Sequence, residues 1–529
     1  MRAHGCADIP ILKGIDLSPT SAQRLGPFTV AALILNRTIG TGIFSLPASI
    51  LMYTGSPGVA ITLWVVAGII IMCLLLCWLE LGMTVPLFSH VDEDGTQAVV
   101  STPRSGGDKN FLEYIYHKPK FLATCVFGVI FIVFGHLAGN AIQFGISMAT
   151  LTDPGCRNDD RCGRGVVVGW ALGVVIVCAL INISARQFAI GLNNLFAVAK
   201  VLFVVVINLI GIIYGTMNGD GCRQITWARK SPNGANVGYL CTSPYKGGKE
   251  EMLASMFEKI SGKKDTSTTS TRAVNVILAL FAFANIMTQT FTGSRVKQEI
   301  AKEGILPYSL MFATGSKSLI SRLSRSRPKG TGILADEIDQ HAEQVPIAAT
   351  FLHSVFEVIL ILAAGLALDP PDAYELLTSL KVFTVVGILG TLTAGGLLYL
   401  NIDSWARGSR GRGWYGIVKF LPWLDPLPVL IATAGFALIV VGPFVSPSIR
   451  VEKVIHSYTG LLVAWIVFVS SVGWWLWLKF DLRRNRMDLH VERKPFIERD
   501  GENGELVLKA EILCVERIPA RATHSSSSA

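Results

Sequence analysis

An all-α polytopic membrane protein with about ten transmembrane helices is what this sequence predicts, and three observations predict it. The 529 residues are 51% apolar and only 16% charged, with a mean hydropathy of +0.48, against the roughly 25% charge of soluble domains. The apolar residues come in runs near the roughly 20 residues needed to cross a bilayer. Basic residues gather beside those runs, as in cytoplasmic loops, so the net charge of +9 does not point to nucleic acid.

Taken in order, residues 1–25 mix Asp8, Pro10, Lys13, Asp16 and Pro19 with no apolar core. They read as a cytoplasmic N-terminal tail rather than a signal peptide. The membrane domain, 26–480, carries spans at about 27–53, 58–86, 121–150, 166–183, 189–215, 273–291, 345–368, 376–402, 427–445 and 458–480. An even count that starts inside puts both termini in the cytoplasm. The basic loop from Arg295 to Gln344 and the basic stretches Arg407 to Lys419 and Arg483 to Lys494 then lie inside, as the positive-inside rule asks. The segment 216–272 falls outside although it holds Arg229, Lys230, Lys246, Lys249, Lys263 and Lys264; longer loops follow the rule less strictly. The charged stretch 481–529, ending in a serine run, is expected to be a loose cytoplasmic tail. Cys156, Cys162, Cys222 and Cys241 all fall in loops assigned outside, where disulfides persist. Cys156–Cys162 and Cys222–Cys241 bridges are therefore one expectation, and four free thiols the other.

The first span contains Asn36-Arg37-Thr38-Ile39-Gly40-Thr41-Gly42-Ile43-Phe44. Each glycine costs about 1 kcal/mol of helix propensity relative to alanine. Non-helical backbone at membrane depth is tolerated where it is buried in protein or lines a wet cavity, and transporters use such breaks to hold substrates and ions. The alternative is a small-residue surface for close helix packing.

Among polar residues in spans, Lys200 is the sharpest, about eleven residues from the cytoplasmic end of its helix. An ammonium at that depth serves as a structural or functional ion, or else snorkels across roughly 16 Å of helix rise. Asn285 and Gln289 stand i,i+4 on the sixth span and share a face. They are candidate polar partners of Lys200 or of the opened backbone at Gly40, with interhelical hydrogen bonding as the alternative. Arg37 is expected at the mouth of an inner vestibule, and His136 as a satisfied interior histidine. His353 and Glu357, again i,i+4, are placed to pair, though nothing in the sequence requires that pair to move protons. Cys-x-x-Cys, His-Glu-x-x-His and Gly-x-Ser-x-Gly motifs are absent, so no enzyme, metal or cofactor chemistry is expected.

The chain resembles the amino acid–polyamine–organocation transporter superfamily, and within it the fungal L-type permeases that include the methionine permeases. Three strings carry the resemblance: Asn36 to Phe44; Leu79-Glu80-Leu81-Gly82 with Pro103 to Tyr114; and Ser294-Arg295-Val296-Lys297-Gln298-Glu299-Ile300-Ala301-Lys302-Glu303-Gly304-Ile305-Leu306-Pro307. The resemblance implies the LeuT-like inverted-repeat fold. It implies a neutral amino acid as substrate, moved by alternating access across the plasma membrane, with proton coupling as a candidate. It assigns the substrate's carboxylate and amino groups to Ile39, Gly40, Thr41, Gly42 and Ile43, and puts Lys200 where several relatives hold a sodium ion.

One departure stands out. The family norm is twelve spans, and spans six and seven look absent between about residues 223 and 236. Half of the backbone site and the outer gate would go with them. The chain as written is then expected to transport poorly, or to act instead as a truncated regulatory partner or a nutrient sensor.

Overall fold

The computed structural model describes residues 13–17, 25–54, 56–85, 88–91, 97–100, 106–152, 163–217, 267–317, 344–407, 426–444, 458–499 and 506–519. The stretch assigned to missing spans and the four cysteines assigned outside lie beyond the described residues. Among the described residues, nine helical stretches are long and apolar enough to cross a membrane. The first predicted span is additional to these, because it is divided into two short helices.

That span consists of α1 (Pro27–Thr38) and α2 (Gly42–Thr54). Pro27 occupies the first turn of α1, where its missing N–H costs nothing. α3 (Pro57–Thr84) follows, then a short ribbon of β2 (Phe88–Val91) and β3 (Gln97–Val100), then α4 (Asp108–Ile115). The third span is also divided, into α5 (Leu122–Phe134) and α6 (Ala138–Thr152). α7 (Arg164–Ser184), α8 (Arg186–Met217) and α9 (Ser267–Ala301) come next, and then the short α10 (Ser309–Ala313). β4 (Ser316–Lys317) pairs with β5 (Gln344–Val345) ahead of α11 (Ile347–Ala367). α12 (Pro370–Lys381) runs through a π-helical stretch, Val382–Ile388, into α13 (Leu389–Arg407). α14 (Leu427–Val441) and α15 (Thr459–Arg484) complete the bundle.

Burial sorts these helices. Within the most apolar stretch of each, 78% of the α5–α6 span and 72% of α9 are buried, against 6% of α3 and 17% of α8. The divided third span and α9 are therefore the axis of the bundle. Ala141, Ile142, Val174, Val175, Ile286 and Ile361 pack α6, α7, α9 and α11 into one core. Phe127, Ile130, Ile300, Leu389 and Ala464 join α5, α9, α13 and α15 in another. Of α1, only Ala32 and Asn36 are buried.

Two expectations are corrected. α9 does not stop near residue 291: it continues to Ala301, so the first residues assigned to a basic loop, Arg295 to Ala301, form its last two turns. Arg295 does not end the helix: it donates to Gln344 O at 3.2 Å, and Glu299 in the last turn is met by Lys302 and Arg493. Nor are the described parts of the segment after residue 480, 481–499 and 506–519, loose. α15 runs to Arg484, and β6 (Met487–Arg499) and β7 (Leu506–Pro519) form an antiparallel hairpin that β1 (Lys13–Leu17) extends to three strands, in the order β1-β7-β6.

The sheet lies on the end of α9. Gly304 there has φ +70, and a Cβ on it would stand 2.7 Å from Val515 and 3.3 Å from Val491. Glycine is thus required both for the left-handed turn and for the close approach of the hairpin. Leu513 is buried with Ala301 and Ala313 beneath it.

Candidate functional site

The site begins with one unmade helix bond. In a continuous helix the amide of Gly40 would bond to the carbonyl of Asn36. Here it turns to Thr38 O at 3.1 Å instead, which leaves the Asn36 carbonyl without its helical donor at depth. Lys200 of α8 supplies the replacement: its ammonium donates to Asn36 O at 2.9 Å and to Asn285 Oδ1 of α9 at 2.6 Å. It also stands 5.3 Å over the ring of Phe281, a favourable place for a cation with no access to water. Lys200 is 0% exposed, which disposes of snorkelling.

The amide end of Asn285 faces the break from the other side. A Cβ on Gly40 would lie 2.7 Å from Asn285 Nδ2, so only glycine admits this approach. Lys200, Asn285 and Gly40 are therefore brought together at the break. Gln289, one turn on, takes the other course open to it. Its Nε2 donates to Gly135 O at 2.6 Å, the carbonyl freed where α5 ends and α6 has not begun.

Beneath Lys200 lies a polar trio that the sequence did not single out. Asn36 Nδ2 donates to Asn193 Oδ1 and to Thr288 Oγ1, both at 2.9 Å, and Thr288 Oγ1 donates to Asn193 Oδ1 at 2.7 Å. All three residues are buried. Together they bind α1, α8 and α9 just below the break. The signal was present: Asn193 and Lys200 are seven residues apart on one helix, and Asn285 and Thr288 three apart on another, so each pair shares a face.

The remaining candidates are placed as follows. Ile39, Gly40 and Gly42 are partly buried, Thr41 is buried and Ile43 is exposed. The first turn of α2 directs its amides at the break, the positive end of a helix. Arg37 is exposed, with Asp108 of α4 within electrostatic reach. His136 is buried; Nε2 bonds to Val133 O at 2.6 Å and Nδ1 accepts from the Ala138 amide at 3.4 Å, the pattern of a neutral, satisfied imidazole. His353 and Glu357 are buried on α11, 3.7 Å apart.

A second constellation lies at the end of α9, beneath the C-terminal hairpin. Arg493 of β6 reaches Glu511 (2.8 Å), Glu303 (2.7 Å) and Glu299 (2.8 Å). Lys302 reaches Asp16 (2.7 Å), Glu299 (2.7 Å) and Glu511 (3.0 Å). Asp16 and Glu511 sit directly opposite in the β1–β7 register, a like-charge pairing that would destabilise the sheet had Lys302 not been set between them. Lys109 of α4 joins Glu303 at 2.6 Å and Glu113 at 3.2 Å. Burial alone would raise Glu303, but the ammonium of Lys109 and the guanidinium of Arg493 win and hold it at about 2. Burial likewise opposes the charge on Lys302, and its three carboxylates overcome it and raise the ammonium above its ordinary range.

An alanine at Gly40 should drive its methyl into Asn285, whose side chain is already committed to Lys200. Overpacking of this kind costs about 1–3 kcal/mol, so Gly40→Ala is expected to lower the stability of the purified protein by about that amount, read as a fall in melting temperature. At Gly42, among the described residues, an added Cβ meets only Leu46, at 3.4 Å, and Gly42→Ala should cost much less. Equal losses at the two positions would show that the approach of Asn285 does not matter.

Comparison with known proteins agrees with this architecture. The amino acid permease family profile matches residues 97–243 and 242–470. The high-affinity methionine permease of Saccharomyces cerevisiae is 24% identical over 524 residues, covering 86% of this chain and 79% of that one. The low-affinity methionine permease of the same yeast is 22% identical, covering 54% of this chain and 59% of its own length. The large neutral amino acids transporter small subunit 2 of Homo sapiens is 25% identical over 191 residues, covering 36% of this chain and 32% of that one. With the profile matching well over half of its length and a helix bundle of the expected kind, the chain belongs to the amino acid permease family.

Proposed function

We propose that this protein carries a neutral amino acid of methionine-like character across the plasma membrane by alternating access, with both termini in the cytoplasm. The observation that carries the reading is the Lys200 ammonium fixed at the α1–α2 break, 2.9 Å from the orphaned Asn36 carbonyl. It keeps the helix open without a bound metal cation. The backbone of Ile39, Gly40, Thr41, Gly42 and Ile43 would then take the substrate's carboxylate and amino groups, the carboxylate at the positive end of α2. Lys200 would stand in for the ion, with Asn285 as the link between the two. Two methionine permeases stand among the relatives described above, which supports the substrate class. The test is uptake of labelled methionine and leucine in cells lacking their own permeases. Saturable uptake that unlabelled methionine suppresses supports the reading, and none above background refutes it.

The proposed absence of spans six and seven has its own support. The family match divides at residues 242–243, close to the stretch at about 223–236 where the resemblance breaks. Sequencing the native transcript across the codons for Ile225 to Leu240 decides the matter. An in-frame insert of roughly 50–70 residues, two spans' worth, restores the usual permease. A transcript that reads as given makes weak uptake by this chain the expected result.

A further inference from the structure

A second buried polar cluster surrounds the α5–α6 break, away from Lys200. His353 and Glu357, one turn apart on α11, are 0% and 1% exposed, with His353 Nε2 at 3.7 Å from Glu357 Oε2. Neither nitrogen of His353 and neither oxygen of Glu357 has a hydrogen-bond partner. The amide of Leu137, in the break, faces the carboxylate without closing a well-formed bond. Lys297 of α9 is fully buried, and its ammonium is equally unpartnered.

Five unsatisfied polar atoms in one place are hard to explain as packing. Each buried donor or acceptor left unmade costs about 1–3 kcal/mol, and native cores hold few of them. The groups that face the pair come from every neighbouring helix. His136 of the α5–α6 break meets His353 edge to face, centroids 6.2 Å apart. Lys297 of α9, Lys381 of α12 and Cys178 of α7 lie within electrostatic reach of Glu357.

This chemistry selects its ligand. Among the described residues, no group of three or more His, Cys, Asp and Glu could hold a metal ion. Two lysine ammoniums also repel any cation that must keep a coordination shell. A proton needs no shell, because it becomes part of a carboxyl group. The placement ties the cluster to the broken first helix. Asn285, Gln289, Gly293 and Lys297 follow one another at four-residue spacing along a single face of α9. Asn285 holds Lys200, and Gln289 holds the α5–α6 break. A Cβ on Gly293 would stand 2.7 Å from the ring of His353. Lys297, at the far end, faces Glu357.

We propose that the His353–Glu357 pair is a proton-binding site through which this carrier is coupled to a proton gradient. Glu357 takes the proton on a carboxylate oxygen, and the resulting hydroxyl donates to Nε2 of neutral His353. Lys297 balances the carboxylate when the proton has left. The inference rests on the carrier reading above and names its coupling ion.

Two measurements on the purified, reconstituted chain test it separately from that reading. Infrared difference spectra between acid and alkaline pH should show the C=O band of a buried protonated carboxyl. The band should vanish in Glu357→Gln and shift in His353→Gln, which keeps the carboxylate should the first variant fail to fold. In proteoliposomes, exchange of labelled methionine without a gradient reports the carrier alone. With one proton per substrate, each unit of imposed pH gradient should raise accumulation about tenfold. In Glu357→Gln, accumulation relative to exchange should show no such rise. A wild-type band that persists in Glu357→Gln, or gradient-driven accumulation that survives it, overturns the proton site. Absence of exchange by the wild-type chain refutes the carrier reading instead, and the infrared band still decides whether the site binds a proton.

Discussion

Lys200→Met is expected to abolish uptake while leaving the melting temperature within a few degrees of wild type. Two effects oppose each other. Removing a fully buried ammonium relieves a desolvation penalty, and apolar replacement of buried charges is often neutral or stabilising. Methionine also keeps most of the lysine stem's volume and flexibility, so little packing is lost. Against this, Asn36 O and Asn285 Oδ1 lose their shared donor, at 2.9 and 2.6 Å. Buried acceptors left bare cost about 1–3 kcal/mol each. For global stability the two effects nearly cancel. For the break they do not, because only the ammonium answers the carbonyl that the missing Gly40 bond left open. α1 and α2 should then drift or rejoin, with initial uptake down on the order of a hundredfold or more, the rate equivalent of about 3 kcal/mol. Lys200→Arg should not rescue, since a planar fork cannot replace a compact ammonium between two acceptors. Uptake within twofold of wild type in Lys200→Met would show that the lysine does not hold the break. A collapse in melting temperature alongside lost uptake would make its role structural.

Much of this site is legible in the sequence, for physical reasons that also mark where legibility ends. Glycines at 40 and 42 inside an apolar run announce a break, because nothing else justifies their cost in a spanning helix. A lysine eleven residues deep announces a partner, because the bilayer gives it none. Asn285 follows from helical spacing on the facing span. The break at Gly135–His136 is less visible, since one glycine and one histidine also suit a continuous helix. It is fixed by Gln289, more than 150 residues away in sequence. The prolonged end of α9 and the ordered C-terminal hairpin escape sequence reading altogether. Arg493, Glu511 and Lys302 taken singly look like solvated charges. Only tertiary proximity shows that they cancel one another out of water.

Arg493→Ala is the change expected to undo that cancellation. The guanidinium, 6% exposed, serves Glu299, Glu303 and Glu511 together. Without it Lys302 must answer Asp16, Glu299 and Glu511 alone, while Lys109 is shared between Glu303 and Glu113. Removing one partner from a buried ionic cluster costs about 3–5 kcal/mol, enough to loosen the hairpin from the end of α9. Protease cleavage within the β6 and β7 strands themselves should be faster in Arg493→Ala than in the wild type. The pH dependence gives an independent check. Glu303 ionises near 2 in the folded chain against an ordinary 4.5. Its contribution is therefore complete above about pH 4.5 and lost as pH falls toward 2. Removing Arg493 lets that folded value rise toward the ordinary one, so the variant should lose its docked hairpin at a higher pH than the wild type. Glu303→Gln should instead flatten the acid limb, because it has no charge to lose. If Arg493→Ala matched the wild type in cleavage and acid profile alike, Lys302 and Lys109 would suffice to bind the three strands, and the fork of Arg493 would be incidental to the docking.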